Sequence, residues 1–386
     1  MWILREFEGF VLRVREVNGF EGLMDEWNSL LKRSLLGSSV FLTWEWLSTW
    51  WKHFGEGRKL LLLLVEDDDE VLAIAPLMLS RYKLPGFGAI KKVEFLSSRH
   101  SDYSNFVVLK REAECLRAMV DHLTGTVAGW DWIELKEIPE TTENAGYLEQ
   151  MFSDVPSNLK LNKRVCNVCP YISLPGSLDL LMERLSTRMR KNLNRCLRRI
   201  RGEHRVEFKR FDEAGFSVKE AMKTFLELHE KRWTSQGLPG SFRSKEAAFL
   251  DFHMDIAGRF ADRGWLGLYF LMADDKPVAT QYAFEFDWKM YDYLGGFDPQ
   301  YSAYSVGNLF TMHLLEKCIQ KGFTEYDMMR GDEAYKLAWN ATCRNNLEVR
   351  LVRGGLHSRF FDWVTWNDAV SGLAEKLKLS LKRSHA

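Results

Sequence analysis

An apolar run, an acidic turn and a second apolar run occur twice in the chain, and the same landmarks follow each occurrence. The first copy is 60–65 (LLLLLV), the acidic 66–70, then 71–79 (VLAIAPLML); the second is 268–273 (LYFLMA), a turn at Asp274-Asp275, then 278–286 (VATQYAFEF). Leucine, β-branched and aromatic residues around Asp-rich turns predict two β-hairpins. A third strand follows each hairpin, at Glu94-Phe95-Leu96 and at Asp292-Tyr293-Leu294, and Tyr103 and Tyr301 each stand seven positions after the leucine. Each copy then enters a helical stretch and reaches a short segment opened by glycine, 129–134 (GWDWIE) and 322–327 (GFTEYD), with an acid five places on. Four landmarks in one order predict a duplication. Strands alternating with helices predict the α/β class, here with α+β mixed sheets. A length of 386 residues suits two domains, expected at 1–165 and 166–386.

Between the copies lies a basic amphipathic segment. From Leu178 the apolar positions Leu181, Leu185, Met189, Leu193 and Leu197 predict a helix over 178–201 that opens the second domain. Pro175-Gly176-Ser177 supplies its turn and N-cap, and Gly202 its stop. From Arg184 to Arg210 eleven Arg/Lys stand against two acids, Glu203 and Glu207, although the whole chain balances at 53 basic and 53 acidic residues. Such a face is either simply solvated or a dock for an anionic acceptor, a tRNA or an acidic polysaccharide precursor. Further helices are predicted at 20–32, 43–54, 111–124, 213–235, 245–262 and 306–321, and an amphipathic helix in the last thirty residues.

The N-terminal stretch carries Arg5, Glu6, Glu8, Arg13, Arg15 and Glu16, so it offers no signal-peptide core. No apolar run approaches the roughly 20 residues that cross a bilayer. The expectation is a soluble, cytoplasmic protein. Of six cysteines only Cys166 and Cys169 are close, without the second ligand pair of a zinc site or the following helix of a redox motif, so no metal is expected.

Chemistry is concentrated in the second copy, where a strand runs into Gly295-Gly296, a tyrosine-rich turn and a helix opening at Ser305-Val306-Gly307-Asn308. Unpaired N–H groups and the positive dipole end make a helix N-terminus able to hold a pyrophosphate, although Ser-x-Gly is also an ordinary cap. Glycine lets a ligand approach the backbone. The cluster Gly331-Asp332-Glu333-Ala334-Tyr335-Lys336 directly follows a strand, where α/β folds place their clefts.

These residues resemble the CelD/BcsL-type acetyltransferase family, whose C-terminal part is a BioF-like acetyltransferase domain. The resemblance is carried by 169–201, by Tyr293-Leu294-Gly295-Gly296-Phe297-Asp298-Pro299, by Ser305-Val306-Gly307, by Tyr326-Asp327 and by 331–336, with 41–47 (FLTWEWL) and Trp50 in the first half. Val306 departs from the proline common there. The family is GNAT-like, and its paired layout is similar to that of the Fem peptidyltransferases. The resemblance therefore implies two tandem GNAT-like acyltransferase domains, an acetyl-CoA or other acyl-CoA donor, and an amine or hydroxyl acceptor on a sugar, polysaccharide or cell-envelope precursor. It implies donor and oxyanion contacts at the backbone of Leu294, Gly295, Gly296 and Phe297, and phosphate contacts at Ser305, Gly307 and Asn308. Proton transfer falls to Asp332, Glu333 or Tyr335, with Lys336 as an anchor for a carboxylate or phosphate. His229, Arg232 and Trp233 are implied to line the acceptor cleft.

Plainer readings stand beside these. Asp332 and Glu333 are also what a surface turn contains, Tyr335 and His229 are also what a core contains, and Trp44, Trp46, Trp50 and Trp51 fit helix packing as well as sugar stacking. Ser97-Ser98-Arg99-His100 stands where the second copy has Gly295-Gly296-Phe297-Asp298, so the first domain is expected to be degenerate. The alternatives to an acyl-CoA enzyme are a Fem-like transferase that uses aminoacyl-tRNA, and a non-catalytic scaffold of polysaccharide synthesis.

Overall fold

A computed structural model of the chain describes residues 2–7, 10–68, 70–84, 88–142, 146–148, 150, 159–244 and 247–366. The strands are β1 (Trp2–Phe7), β2 (Phe10–Val17), β3 (Lys59–Asp67), β4 (Glu70–Leu84), β5 (Gly88–Phe95), β6 (Val107–Val108), β7 (Trp132–Pro139), β8 (Leu159–Ser173), β9 (Val206–Arg210), β10 (Leu266–Ala273), β11 (Lys276–Phe286), β12 (Lys289–Phe297), β13 (Glu325–Asp327) and β14 (Thr342–Arg353). The helices are α1 (Met24–Lys32), α2 (Trp44–Phe54), α3 (Glu112–Gly125), α4 (Leu178–Arg184), α5 (Thr187–Glu203), α6 (Val218–Ser235), α7 (Ser241–Ser244), α8 (Ala247–Asp262), α9 (Val306–Gln320), α10 (Ala334–Leu337) and α11 (Leu356–Trp366).

The chain divides into two compact units, 1–47 with 55–166 and 346–386, and 48–54 with 167–345. The units differ from linear halves at 165/166 in two respects: 48–54 belongs to the second unit, and the chain returns to the first at Asn346. The reason for the return lies in β14, which pairs antiparallel with β7 (Val349↔Leu135, Leu351↔Ile133) and puts Leu347, Val349 and Leu351 into the first unit's core. Leu373 and Leu377, expected in a final helix, lie outside the described residues; α11 ends at Trp366.

In the first unit the neighbours run β1-β2-β3-β4-β5-β7-β14-β8. The hairpin read from 60–79 is β3/β4, and the segment from Gly129 gives β7, which lies parallel to β5 over Lys92↔Trp132, Val93↔Ile133 and Glu94↔Glu134. Cys115, Leu116, Met119 and Leu123 of α3 pack with Leu12, Val14, Leu61 and Leu63 in one core. Buried charge here is paired, as burial demands. The Lys92 ammonium lies 2.6 Å from both Glu94 and Glu134, and Arg350 bonds Glu134 (2.6 Å), Glu348 (2.7 Å) and Asp362 (3.2 Å). Although burial opposes both charges, Lys92 is pushed up by Glu134 and Glu94, and Glu134 is held well below the usual carboxylate range by Lys92, Lys136 and Arg350.

The second unit repeats the plan. The meander β10-β11-β12 is antiparallel, β9 flanks β10, and β13 lies parallel to β12 and antiparallel to β8. The apolar sides of α4, α5 and α9 cover one face, with Leu181, Leu193, Cys196, Ile200, Leu309 and Leu314 in its core. Helix α6 packs against β11 and β12, and α8 against α6 and β10. The single basic helix expected over 178–201 is two helices. Leu185 is extended (ψ 151°), and Ser186 starts a new helix by accepting a hydrogen bond from the Met189 N–H at 3.2 Å.

Candidate active site

Two features of β12 shape the site. The first is its register on β11: Tyr282 faces Leu294 but Phe284 faces Tyr291, so Asp292 and Tyr293 together oppose Ala283. Two residues against one is a β-bulge, which bends the strand and exchanges the faces its later side chains point to. The second is the brevity of its pairing with β13, which covers Lys289↔Glu325, Met290↔Tyr326 and Tyr291↔Asp327 and stops where the bulge begins. Beyond it the two strands keep different company. The Asp298 N–H bonds Val278 O on β11's side (2.8 Å), whereas Met328 and Gly331 donate to Pro170 O (2.9 Å) and Val168 O (2.8 Å) on β8. A gap opens between parallel strands, flanked by Asp292 and Tyr326.

Alternation fixes which amides face that gap. The pair Asp298/Val278 is hydrogen-bonded, so in this register Gly296 and Leu294 also bond toward β11, and Gly295 and Phe297 turn their N–H and C=O groups to the edge that β13 has left. Of the four residues expected to offer backbone contacts, these two therefore face the gap. The Gly295 carbonyl is taken by α6, from His229 Nδ1 (3.0 Å) and Arg232 Nη1 (3.3 Å).

The two glycines have a different purpose from the one their sequence suggests. A Cβ on Gly296 would lie 2.4 Å from His229 N and 2.6 Å from Leu228 C, so its missing side chain admits the backbone of α6. At Gly295 the space is filled by Gln281 Oε1, 2.6 Å from a would-be Cβ. At Gly296 it is helix packing that requires glycine, whereas at Gly295 a side chain would compete only with the movable end of Gln281.

Asp292 and Tyr326 stand at the mouth of the gap. The Tyr326 hydroxyl donates to Asp292 Oδ2 at 2.8 Å, and Asp292 Oδ1 is out of contact with solvent and without a partner among the described residues. Burial raises the Asp292 carboxyl to about 6, against the opposing effects of the Tyr326 bond and the Lys336 and Arg232 charges. In the sequence this acid stands out only as a landmark of the repeat. Its signal was an Asp inside an otherwise apolar strand, where a charge needs a reason.

The expected proton-transfer residues divide. Tyr335 is 48% exposed, and desolvation with the nearby Asp292 and Glu333 charges raises its phenol, so it remains protonated and can donate. Asp332 and Glu333 are exposed on the loop, and Glu333 pairs with Lys336 at 2.9 Å. Lys336, expected to anchor a ligand, is 3% exposed, and its ammonium donates to the carbonyls of Met329 (3.1 Å), Arg330 (2.8 Å) and Gly331 (3.3 Å). Its donors are spent holding the loop after β13.

His229 is likewise a satisfied buried histidine. Its Nε2 accepts from the Ser241 N–H (3.3 Å), which makes Nδ1 the donor to Gly295. Arg232 lies over Phe297 (5.5 Å) and Trp233 (5.3 Å), beside the gap's edge. At the start of α9 the Ser305 backbone is left-handed (φ 50°), and its side chain makes no capping bond to the helix. A Cβ on Gly307 would meet nothing within 4 Å, so the flank of α9's first turn is open at that position, and Asn308 is half-buried. Val306 is buried (1%) and serves the core. Core packing also explains Trp46 and Trp50, both buried, and Trp44, whose Nε1 donates to Phe20 O at 2.8 Å.

The first unit holds the same strands without the gap's equipment. β4 and β5 pair from Leu77↔Phe95 to Leu84↔Gly88 in one unbroken register, so the bulge is absent. Counting from the last parallel pair, Phe95 and Ile133 occupy the places of Asp292 and Tyr326. The sequence echo had aligned Glu94 with Asp292, one residue out. The following segment is closed by protein, with Ser104 N–H on Glu137 O (2.8 Å) and Ser97 and Ser101 hydroxyls 2.6 Å apart.

A family model supports reading the second unit as an acyltransferase. Residues 187–337 match the family model described as an acetyltransferase (GNAT) domain, so the second unit holds a GNAT-type domain. Among solved structures, FemX has a TM-score of 0.62 at 12% identity, over 88% of this chain and 98% of its own. A conserved protein of unknown function from Bacteroides thetaiotaomicron VPI-5482 gives 0.51 at 10%, over 88% and 100%. L-PGS from Bacillus licheniformis gives 0.50 at 9%, over 92% and 99%. At these identities the likeness is one of fold. No curated protein matches the chain. No group of side chains suited to a metal ion occurs among the described residues, and no described helix is long and apolar enough to cross a membrane.

Proposed function

We propose that the second unit transfers an acyl group from a coenzyme A thioester to an amine or hydroxyl on a sugar, polysaccharide or cell-envelope precursor, as a CelD/BcsL-type enzyme would. The observation that carries this reading is the gap beyond Tyr291↔Asp327, edged by the Gly295 and Phe297 amides. Those residues fit such a donor. Main-chain N–H groups along a strand edge can hold a pantetheine arm and the oxygen of a thioester, and the start of α9, which has no side-chain cap, can take the diphosphate. The thioester supplies an activated acyl carbon.

The chain's own residues would then orient and stabilise. His229 and Arg232 fix the Gly295 peptide plane through its carbonyl, so its N–H is aimed before any oxyanion develops. Tyr335, protonated at neutral pH, is a donor for the departing thiolate. The first unit, lacking the bulge and the acid, is assigned no transfer. Calorimetry of the whole protein with acetyl-CoA tests the reading: micromolar binding is expected, and a folded protein that does not bind would refute it.

A Fem-like use of aminoacyl-tRNA is the second reading, favoured by one observation. Arg184, Arg188, Lys191, Arg195 and Arg198 are all exposed on α4 and α5. RNA binding that falls steeply with salt would support it.

A further inference from the structure

We infer that Asp292 is the general base of the reaction, taking the proton of the attacking amine or hydroxyl on its Oδ1, while Tyr326 acts as a positioning residue that holds Oδ2. This rests on the acyl-transfer reading of the same gap. Three observations of position converge. Asp292 sits in the β-bulge at the point where β12 leaves β13. Its Oδ2 is engaged by the Tyr326 hydroxyl from the opposite strand, so the carboxyl is oriented. Its Oδ1 is shielded from water and unpartnered, a costly arrangement that an N–H or O–H donor arriving between the strands would relieve. The equivalent place in the first unit is Phe95, 1% exposed, which can do none of this.

Tyr326 from β13, Arg232 from α6 and Lys336 from α10 bear on the ionisation of Asp292, whose own charge raises the neighbouring Tyr335 of α10 and Cys318 of α9. Burial outweighs the two cations, and the carboxyl at about 6 is ionised at neutral pH yet basic enough to accept a proton. In the step, the acceptor nitrogen or oxygen bonds to the thioester carbon as its proton passes to Asp292 Oδ1. The C–S bond then breaks and coenzyme A leaves as the thiolate, hydrogen-bonded by Tyr335; it takes a proton from solvent to become the thiol while Asp292 returns its proton to solvent. The acylated acceptor and free coenzyme A thiol are the only products.

The test uses full-length protein, acetyl-CoA and N-acetylglucosamine as a hydroxyl probe, which does not itself titrate between about pH 4 and 9, with water as the background acceptor, and reads thiol release against pH. Wild type should show an acid limb near pH 6. Asp292→Asn should lose about 100-fold or more of the rate and the acid limb with it, while binding acetyl-CoA as wild type does and melting cooperatively. Tyr326→Phe removes the bond that lowers the Asp292 carboxyl, so its acid limb should move upward with a smaller loss of rate. An Asp292→Asn protein within threefold of wild type, with the acid limb in place, would overturn the assignment of the base and leave acyl transfer standing. Failure of wild type to bind acetyl-CoA or release thiol would overturn both.

Discussion

Gly296→Ala puts the central packing contact of the site to a quantitative test. The new Cβ would lie 2.4 Å from His229 N and 2.6 Å from both His229 Cα and Leu228 C, where ordinary contact begins at 3.4 Å. Helix α6 must therefore retreat by about 1 Å, and because the obstacle is helix backbone, no rotamer change relieves it. Overpacking of this kind costs about 1–3 kcal/mol, and a rigid neighbour places Gly296→Ala near 3. For a unit of this size that lowers the melting temperature by about 6–12 °C. Gly295→Ala is the internal control: its Cβ meets only Gln281 Oε1 at 2.6 Å, the end of a side chain that can swing away, so the loss should stay below about 1 kcal/mol. Urea denaturation followed by tryptophan fluorescence measures both. Because α6 carries His229 and Arg232, its retreat should also loosen their hold on the Gly295 carbonyl and weaken acetyl-CoA binding. Gly296→Ala within 0.5 kcal/mol of wild type, taken as about the scatter of neutral surface changes, or a Gly295→Ala loss as large as its neighbour's, would refute the packing argument.

Asp292 makes stability depend on pH in an unusual direction. The folded carboxyl keeps its proton up to about 6 and the unfolded one only to 3.8, so the folded state binds more protons in between and stability falls as pH rises through that window. Above it the penalty is about 3 kcal/mol, so Asp292→Asn should melt higher than wild type at pH 8 and alike at pH 4; equal melting at both would remove the buried-acid account. Glu134→Gln leaves Lys92 and Arg350 short of countercharge in the first unit and should cost about 3–5 kcal/mol, read by chemical denaturation. Lys336→Met withdraws the donor shared by three loop carbonyls, so the loop after β13 should become cleavable by protease and the protein should lose about 2–3 kcal/mol.

The twofold plan was legible in the chain because hairpins and amphipathic helices are local patterns. The runs at 60–79 and 268–286 are β3/β4 and β10/β11, and each third strand does gain a parallel neighbour from the glycine-opened segment. The helices at 218–235, 247–262 and 306–320 begin and end within a few residues of where periodicity puts them. Resemblance in the motifs around Gly295 and Gly331 pointed to a GNAT-like acetyltransferase domain, and a GNAT family model matches 187–337.

What stayed hidden depends on neighbours far apart in sequence. A bulge is a mismatch between two strands, so nothing within 289–297 alone declares it, and without it Glu94 and Asp292 align one residue out. Lys336 and His229 have the residue types of ligand-binding groups, and only the carbonyls of 329–331 and of Gly295 show that their donors are already used. Composition and periodicity determined which segments become strands and helices, since those preferences act over a few residues. Which acid is left with one oxygen shielded from water and unpaired was decided by tertiary structure, because desolvation is a property of everything packed around the group.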